Sequence, residues 1–372
     1  MTSARTYLDY NASAPLRPEA RAAVIASLDQ FGNASSVHVE GQRARALIDD
    51  AREAVARLVN AKPAEVVFTS GATEANTWAL SGPWKAIALA GIEHDSVRAP
   101  AAQIAASRGA SVIDVPVSAD GIADYKAAKL IPGTLLALQL ANNETGVLQD
   151  VTKAALWALE NGVHIHTDAV QAPGRIAIDF CTLGATTMSL SAHKIGGPKG
   201  VGALVISGST PLPPLFAGGG QEGRRRAGTE NVAAIAGFGA AARAALTDLE
   251  DASRLTALRD TLEREVLRAT PGAVVIGAGA PRLPNTSSIA LPGISAETLV
   301  IKLDLMGLAV SAGAACSSGK VGQSHVLSAM GLPPEIAGSA IRVSLGPGST
   351  EKDIAAFIAA WKRIHGGASL AA

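Results

Sequence analysis

Apolar and polar positions along the 372-residue chain follow two periods. Residues 42–59 (QRARALIDDAREAVARLV) carry apolar side chains at helical spacing with charges between them, which predicts an amphipathic helix. Short apolar runs of strand length follow at 65–69, 86–90, 111–117, 135–141, 162–167, 186–191 and 200–207. Helical stretches near 94–107, 151–161 and 230–249 separate most of them. This alternation predicts an α/β fold with a mostly parallel sheet between helices. The pattern changes near residue 250. An amphipathic helix at 252–269 precedes short strands around 273–277 and 285–291, a helix at 295–306, a strand running into a glycine-rich loop at 308–320, and a strand at 341–346. A closing helix starts near Thr350. We therefore expect a large domain over 16–250, and a smaller α+β domain built from 251–372 with 1–15 returning to pack on it.

Composition narrows the classes. Hydrophobic residues at 48% and charged residues at 17% exclude a disordered or collagen-like chain. Lys plus Arg and Asp plus Glu both count 32, so a broad basic footprint for nucleic acid or anionic lipid is not expected. No uninterrupted apolar run approaches the roughly 18 residues of a membrane helix, so no membrane partner is expected. The first residues lack a basic start followed by an apolar stretch, and the expected compartment is the cytoplasm. Two cysteines occur, neither in a CxxC pair, which leaves no disulfide framework. Cys316, in the small and glycine-rich run SAGAACSSGK, is a candidate reactive thiol on a loop expected to move. Cys181, in the apolar IDFCTLGA, reads as a buried packing residue.

Three segments carry candidate chemistry. In SLSAHKIGGPKG, Lys194 follows an apolar strand and precedes a Gly/Pro turn, a setting in which a lysine can form a Schiff base with a carbonyl cofactor. In HIHTDAVQ, period-two spacing places His164, His166 and Asp168 on one strand face. That face reads as a zinc site, as a strand-end carboxylate paired with a pyridine nitrogen, or as core histidines beside a turn aspartate. SGATEAN has the form of an anion cradle, with Gly71 before a helix opened by Ala72 and Thr73, or of an ordinary N-cap turn. Ser191 and His193 add donors if the sheet gathers its strand ends in one crevice.

Taken together with YLDYNASAP, FGNASSVH, EHDSV, NNETG, GGGQEGRRRAGTEN, SAGAACSSG, SHVLSAMG and IRVSLG, these segments resemble the cysteine desulfurases nearly end to end. That group lies in the class V aminotransferase superfamily, with the fold-type I architecture of pyridoxal 5'-phosphate enzymes. The Cys316 loop followed by SHVL is similar to the members that serve iron–sulfur cluster assembly, including those of nitrogen fixation. The resemblance implies that Lys194 holds the cofactor, His94 stacks on its ring, and Asp168 keeps the ring nitrogen protonated. Gln171 and Asn143 would contact the phenolic oxygen, and Ala72, Thr73, Ser191 and His193 the phosphate. Thr229 would reach the phosphate of the partner subunit in a homodimer. Arg342 would clamp the substrate carboxylate, with Asn143 and Asn33 on the substrate side. Cys316 would accept the sulfur as a persulfide. Arg224, Arg225 and Arg226 depart from the commonest arrangement, and none is assigned.

The expected activity is conversion of L-cysteine to L-alanine, with the sulfur passed to an acceptor or an iron–sulfur scaffold protein. The rivals are an aminotransferase or a selenocysteine lyase on the same fold, a zinc hydrolase built on His164, His166 and Asp168, and a scaffold in sulfur transfer. Nitrogenase clusters, housekeeping clusters and tRNA thiolation are all compatible destinations. The short run after the last helix, WKRIHGGASLAA, favours the nitrogen-fixation type.

Overall fold

The computed structural model describes residues 5–208, 210, 212–313 and 324–368, the last three as backbone. Strands β1 (Thr6–Tyr7), β2 (Val66–Thr69), β3 (Ala86–Ala90), β4 (Ser111–Val115), β5 (Thr134–Ala137), β6 (His164–Asp168), β7 (Thr187–Ser191) and β8 (Gly202–Ile206) come first in the chain. Those after β1 form a seven-stranded sheet in the order β2-β8-β7-β6-β5-β3-β4. Only β8 runs antiparallel to its neighbours β2 and β7; β7, β6, β5, β3 and β4 pair in parallel. This is the mostly parallel α/β sheet that the apolar runs predict.

Helices α1 (Pro18–Leu28), α2 (Val39–Leu58), α3 (Ala72–Leu80), α4 (Asp95–Arg108), α5 (Val151–Glu160), the single turn α6 (Phe180–Leu183) and α7 (Val232–Asp248) cover it. Successive strand residues feed opposite faces, as the pleat requires. In β3, Ala88 and Ala90 join the core shared with α2, α5 and α7, while Ile87 and Leu89 join Leu80 of α3 with Val97 and Ala101 of α4. Apolar residues at consecutive positions are thus all buried, and the run reads as continuous rather than alternating.

Beyond α7 come α8 (Ala252–Ala269), β9 (Val274–Ile276), β10 (Thr286–Ala290), α9 (Ala296–Leu305), β11 (Leu308–Ala309), β12 (Ser311–Ala312), α10 (His325–Ala329), α11 (Pro334–Ala337), β13 (Ala340–Ser344) and α12 (Glu351–Ala368). An antiparallel sheet of order β12-β13-β10-β9 packs with α8, α9 and α12 around Leu262, Leu299, Ile341, Phe357 and Trp361. Leu8 belongs to this second core, and β1 pairs in parallel with β11. The chain start is thereby tied to the later half. By length and composition the run Val232–Ala269 would suffice to cross a membrane, but 56% of its apolar window is buried inside the protein.

Candidate active site

A cavity of about 600 Å³ opens at the C-terminal ends of the parallel strands. Ala72, Thr73, His94, Asn143, Asp168, Gln171, Ser191, His193 and Lys194 all line it, so the sheet brings together nine residues the sequence singles out from five separate segments. Convergence at this edge follows from parallel topology, because every strand there ends on the same side.

Lys194 sits on a 3₁₀ turn (Ala192–Ile195) directly after β7. The turn closes on Gly196 at φ 79°, a left-handed conformation that only glycine adopts without cost. A Cβ there would also lie 2.6 Å from Arg17 Cγ. The Lys194 Nζ donates to the carbonyls of Asn11 (2.6 Å) and Ala12 (3.2 Å), which aims the amine at the cavity wall formed by the N-terminal segment. Asn11 O also accepts from Gln171 Nε2 at 3.1 Å. The Gln171 Oε1 accepts in turn from buried Arg175 at 2.5 Å, so the carboxamide has one orientation. Burial, with the neighbouring charge of Arg342, pushes the Arg175 guanidinium down to about 9.

Asp168 ends β6 with its Oδ1 accepting from the Val170 N–H (3.0 Å) and its Oδ2 from Asn76 Nδ2 (2.8 Å). His94 is the N-cap of α4 and lines the cavity at the same time; its Nδ1 accepts from the Ser96 N–H at 3.1 Å. Capping and ring contact are therefore compatible roles. His193 touches Ser13 Oγ at 3.3 Å. Burial first, then the charges of Lys194 and Lys199, push it down to about 4, leaving a neutral imidazole.

The start of α3 gives the cavity a corner suited to an anion. Helix α3 begins after Gly71 with no side chain capping it, so its first N–H groups and the positive end of its dipole face the opening. Gly202 on β8 allows the close approach that builds this corner: a Cβ there would lie 2.8 Å from Gly71 Cα. Glu74 in the first turn would oppose an anion, but Arg226 holds its carboxylate at 2.9 and 3.2 Å. This gives Arg226 a role that the sequence left open. An amine, a floor carboxylate, an imidazole and an uncapped helix start are the donor set for a ring with a phosphate arm, a carbonyl and a basic nitrogen. The residues present fit pyridoxal phosphate.

Some expectations fall elsewhere. Arg342 is buried behind the cavity wall, its Nη2 on Asp9 Oδ1 (2.8 Å) and its Nη1 on the Asn143 carbonyl (3.1 Å). Its Nε is buried with no partner among the described residues. Asn33 and Thr229 line a separate shallow cavity together with Leu28. Cys316 lies outside the described residues. The segment resumes at Ser324, whose Oγ donates to Glu144 Oε2 at 2.6 Å. Cys181 is exposed, not buried as its apolar context suggested. In the one-turn α6, Phe180 and Leu183 take the inward positions and leave Cys181 outside.

The zinc reading of β6 finds no geometry. His164 and Asp168 are four residues apart on an extended strand, about 13 Å, and the ring of His164 rests 4.9 Å from that of Trp84. Both nitrogens of His166 are already engaged, by Thr187 and Asn76. Among the described residues no group of three or more His, Cys, Asp or Glu is arranged to hold a metal.

Asn76, Ser96, Asn11 and Arg175 support the site without having been singled out. Asn76 alone carried a signal: four residues after Ala72, it shares the helix face that meets the cavity.

Comparison with known proteins converges on one family. The aminotransferase class-V pattern matches residues 6–357. A cysteine desulfurase IscS of Dictyoglomus turgidum is 39% identical over 360 residues, covering 94% of this chain and 91% of that protein. The crystal structure of a NifS-like protein from Rickettsia africae superposes with a TM-score of 0.87 at 32% identity, covering 97% of this chain and 99% of the other. SspA, solved in complex with cysteine, gives a TM-score of 0.79 at 28% identity over 93% of this chain and all of its own. The family depends on pyridoxal 5'-phosphate, the cofactor for which the cavity has the donors. The chain belongs to the class-V aminotransferase family of pyridoxal phosphate enzymes.

Proposed function

We propose that the protein is an L-cysteine desulfurase: it converts L-cysteine to L-alanine and leaves the sulfur on Cys316 as a persulfide. The observation that carries this reading is the joining of Lys194, Asp168, His94 and the uncapped start of α3 around one cavity in a chain that is kin to cysteine desulfurases along most of its length. The solved likeness that holds cysteine supports the same substrate.

Lys194, Asp168, His94, Gln171 and the phosphate donors Ala72, Thr73, Ser191 and His193 would hold the cofactor. When bound, it supplies an electron sink for the substrate's α-carbon. Lys194 Nζ is the amine set to take and return the α-proton. Asn143 and the Arg342 guanidinium behind it would orient the substrate carboxylate, with Asp9 fixing the arginine. The Cys316 thiolate attacks the substrate sulfur, the carbon–sulfur bond breaks with its electron pair left on carbon, and protonation there yields alanine. No external oxidant or reductant enters, since one thiol becomes a persulfide as one C–S bond becomes C–H.

The homodimer is part of the proposal. Leu28 lines the shallow cavity with Asn33 and Thr229, and Phe31, Val37 and Val39 nearby in the chain are also exposed, an apolar surface suited to a second copy. In that assembly Thr229 would serve the partner's phosphate site. We further propose the division at about residue 250, supported by the separate core around Phe357 and Trp361. The cytoplasm as compartment and a sulfur-accepting scaffold protein as partner complete the reading.

The test is Cys316→Ala. It should leave the bound-cofactor spectrum and the colour change on adding cysteine, while alanine production falls by orders of magnitude. Mass spectrometry of the wild type after one turnover should place the extra sulfur on the Cys316 peptide. Full desulfuration by the variant, with that peptide unmodified, would show a lyase that releases sulfide directly.

A further inference from the structure

His166 and Asn76 are wholly buried and take no part in the chemistry above, yet they lie at the centre of a hydrogen-bond chain whose direction can be worked out. The Asn76 Nδ2 lies 2.8 Å from Asp168 Oδ2 and 2.9 Å from Ser96 Oγ. A carboxylate oxygen only accepts, so the nitrogen of this amide must face Asp168, and its two hydrogens are spent on Asp168 and Ser96. The amide oxygen then faces His166 Nε2 at 2.9 Å, and that nitrogen must carry the proton. His166 Nδ1, left as acceptor, takes the hydroxyl hydrogen of Thr187 Oγ1 at 2.9 Å. Burial pushes His166 down to about 4, which keeps the ring neutral, and the Asn76 oxygen places its single proton on Nε2.

The other branch is equally determined. Ser96 Oγ accepts from Asn76, so its own hydrogen points at His94 Nδ1, 2.8 Å away. The Ser96 N–H donates to the same nitrogen at 3.1 Å. His94 Nδ1 is thus a pure acceptor and the His94 proton resides on Nε2. Thr187, His166 and Asn76 join three cavity-lining groups, Ser96, His94 and Asp168, in one chain in which every proton has a single address.

We infer that Asn76, locked in orientation by His166, is a positioning residue that presents the Asp168 carboxylate to the cofactor's ring nitrogen and, through Ser96, fixes the His94 ring in one tautomer. The inference rests on the reading of Asp168 as the ring-nitrogen partner. If His166 were unable to donate, the Asn76 amide could turn over and set its oxygen against Asp168 Oδ2, where two acceptors repel.

The full chain freed of cofactor is titrated with pyridoxal phosphate and with 1-deazapyridoxal phosphate, in which carbon replaces the ring nitrogen. The wild type should favour pyridoxal phosphate. Asn76→Ala should weaken binding of pyridoxal phosphate about tenfold to a hundredfold, the loss expected for a bond to a charged group. Its affinity for the deaza analogue should stay within about threefold, since that ligand makes no use of Asp168 and the Ser96 N–H still holds His94 Nδ1 without Asn76. His166→Leu, which leaves Asn76 in place, should show the same selective loss at a smaller size and carries the test should Asn76→Ala fail to fold. Nitrogen-15 NMR of the wild type should find both His94 and His166 unprotonated at Nδ1. Equal losses for both ligands would reduce Asn76 to a packing residue and overturn the inference, as would no loss or a proton on either Nδ1. A wild type that binds both ligands equally would instead bring down the reading of Asp168, and the inference with it.

Discussion

Two cavities of nearly equal size open at opposite ends of the seven-stranded sheet, about 600 Å³ at Lys194 and about 580 Å³ around His164, Cys181 and Thr186. Strand β6 runs from one to the other, with His164 at its start and Asp168 at its end. At the Asp168 end, the strands deliver an amine, a carboxylate and two imidazoles, and α3 starts there uncapped. At the His164 end the neighbouring turn is already satisfied, since Asp179 caps α6 by accepting from the Thr182 N–H. His164 leans on Trp84, and Cys181 Sγ lies 3.1 Å from the carbonyl of Asn60. Volume therefore does not tell the two apart. What does is the sense of the parallel strands, which brings the uncapped start of α3 to the Lys194 edge, whereas the helix start at the other edge is already capped by Asp179.

Lys194→Ala is the severest test of that contrast. It should remove activity by several orders of magnitude, because it takes away the amine held beside Asn11 and Ala12 at the cavity wall. Alanine production near the wild-type rate, or a cofactor still fixed to the variant by borohydride, would place the reacting amine elsewhere.

Substitution at the two ends of β6 gives a paired comparison within one strand. Asp168→Asn should lower kcat about a hundredfold or more, the cost of breaking a buried charge pair. His164→Ala should change it by less than threefold. Similar effects at both ends would mean that the strand acts through its stability alone.

Acidification separates the two histidines of β6. Burial holds His166 down to about 4, and burial also lowers the half-exposed His164, though part of its ring stays in water. The unfolded chain protonates His166 near its ordinary value of about 6.5, whereas the folded chain does not. The unfolded state thus binds more protons between 6.5 and 4, and stability falls as pH drops through that window. The contribution from His166 is on the order of 3 kcal/mol. Glu93 acts on the other side: burial pushes its carboxyl up to about 8, against the Gln139 N–H that favours the charged form. Here the folded state holds the extra proton, so stability declines as pH rises from about 4.5 toward 8. Urea denaturation between pH 4 and 8 should show the acid loss shrink in His166→Leu and persist in His164→Ala. An unchanged acid loss in His166→Leu would mean that His166 is not held neutral.

Ala72, Thr73, Asp168, Ser191, His193 and Lys194 were legible because each ends or follows a strand in a segment with its own turn chemistry, whereas His94, Asn143 and Gln171 entered only through the resemblance to the cysteine desulfurases. SGATEAN, HTDAVQ and SAHKIGG each announce a strand end in the sequence, and parallel order then makes them neighbours. Arg175 was not legible, because its role is to fix the orientation of Gln171, and a lone Arg in sequence says nothing about its partner; the spacing of Asn76 from Ala72 marked its helix face but not the side chains it meets. The direction of Cys181 escaped for a different reason. Its neighbours are apolar, but one turn of helix has an inside and an outside, and hydrophobicity of context does not assign a residue to either. His166 matched a metal pattern by spacing, yet a strand holds the two ends of that pattern too far apart.

The smallest effect is expected at Cys181, where the second cavity meets a thiol. Cys181→Ala removes an exposed side chain whose bond to the Asn60 carbonyl is a weak sulfur hydrogen bond. Alanine is the better helix former, so the two terms oppose and stability should stay within about 0.5 kcal/mol of the wild type. Turnover should change by less than a factor of two or three, since the far end of the sheet separates this thiol from Lys194. A bulky maleimide should label Cys181 in the folded protein, because the residue is open to solvent. If Cys181→Trp, which sets comparable bulk at the same place and spares the Cys316 thiol, leaves alanine production unchanged, the two ends of the sheet are independent. If that substitution slows turnover well beyond threefold, the second cavity communicates with the first through β6, and the division between a working edge and an inert one fails.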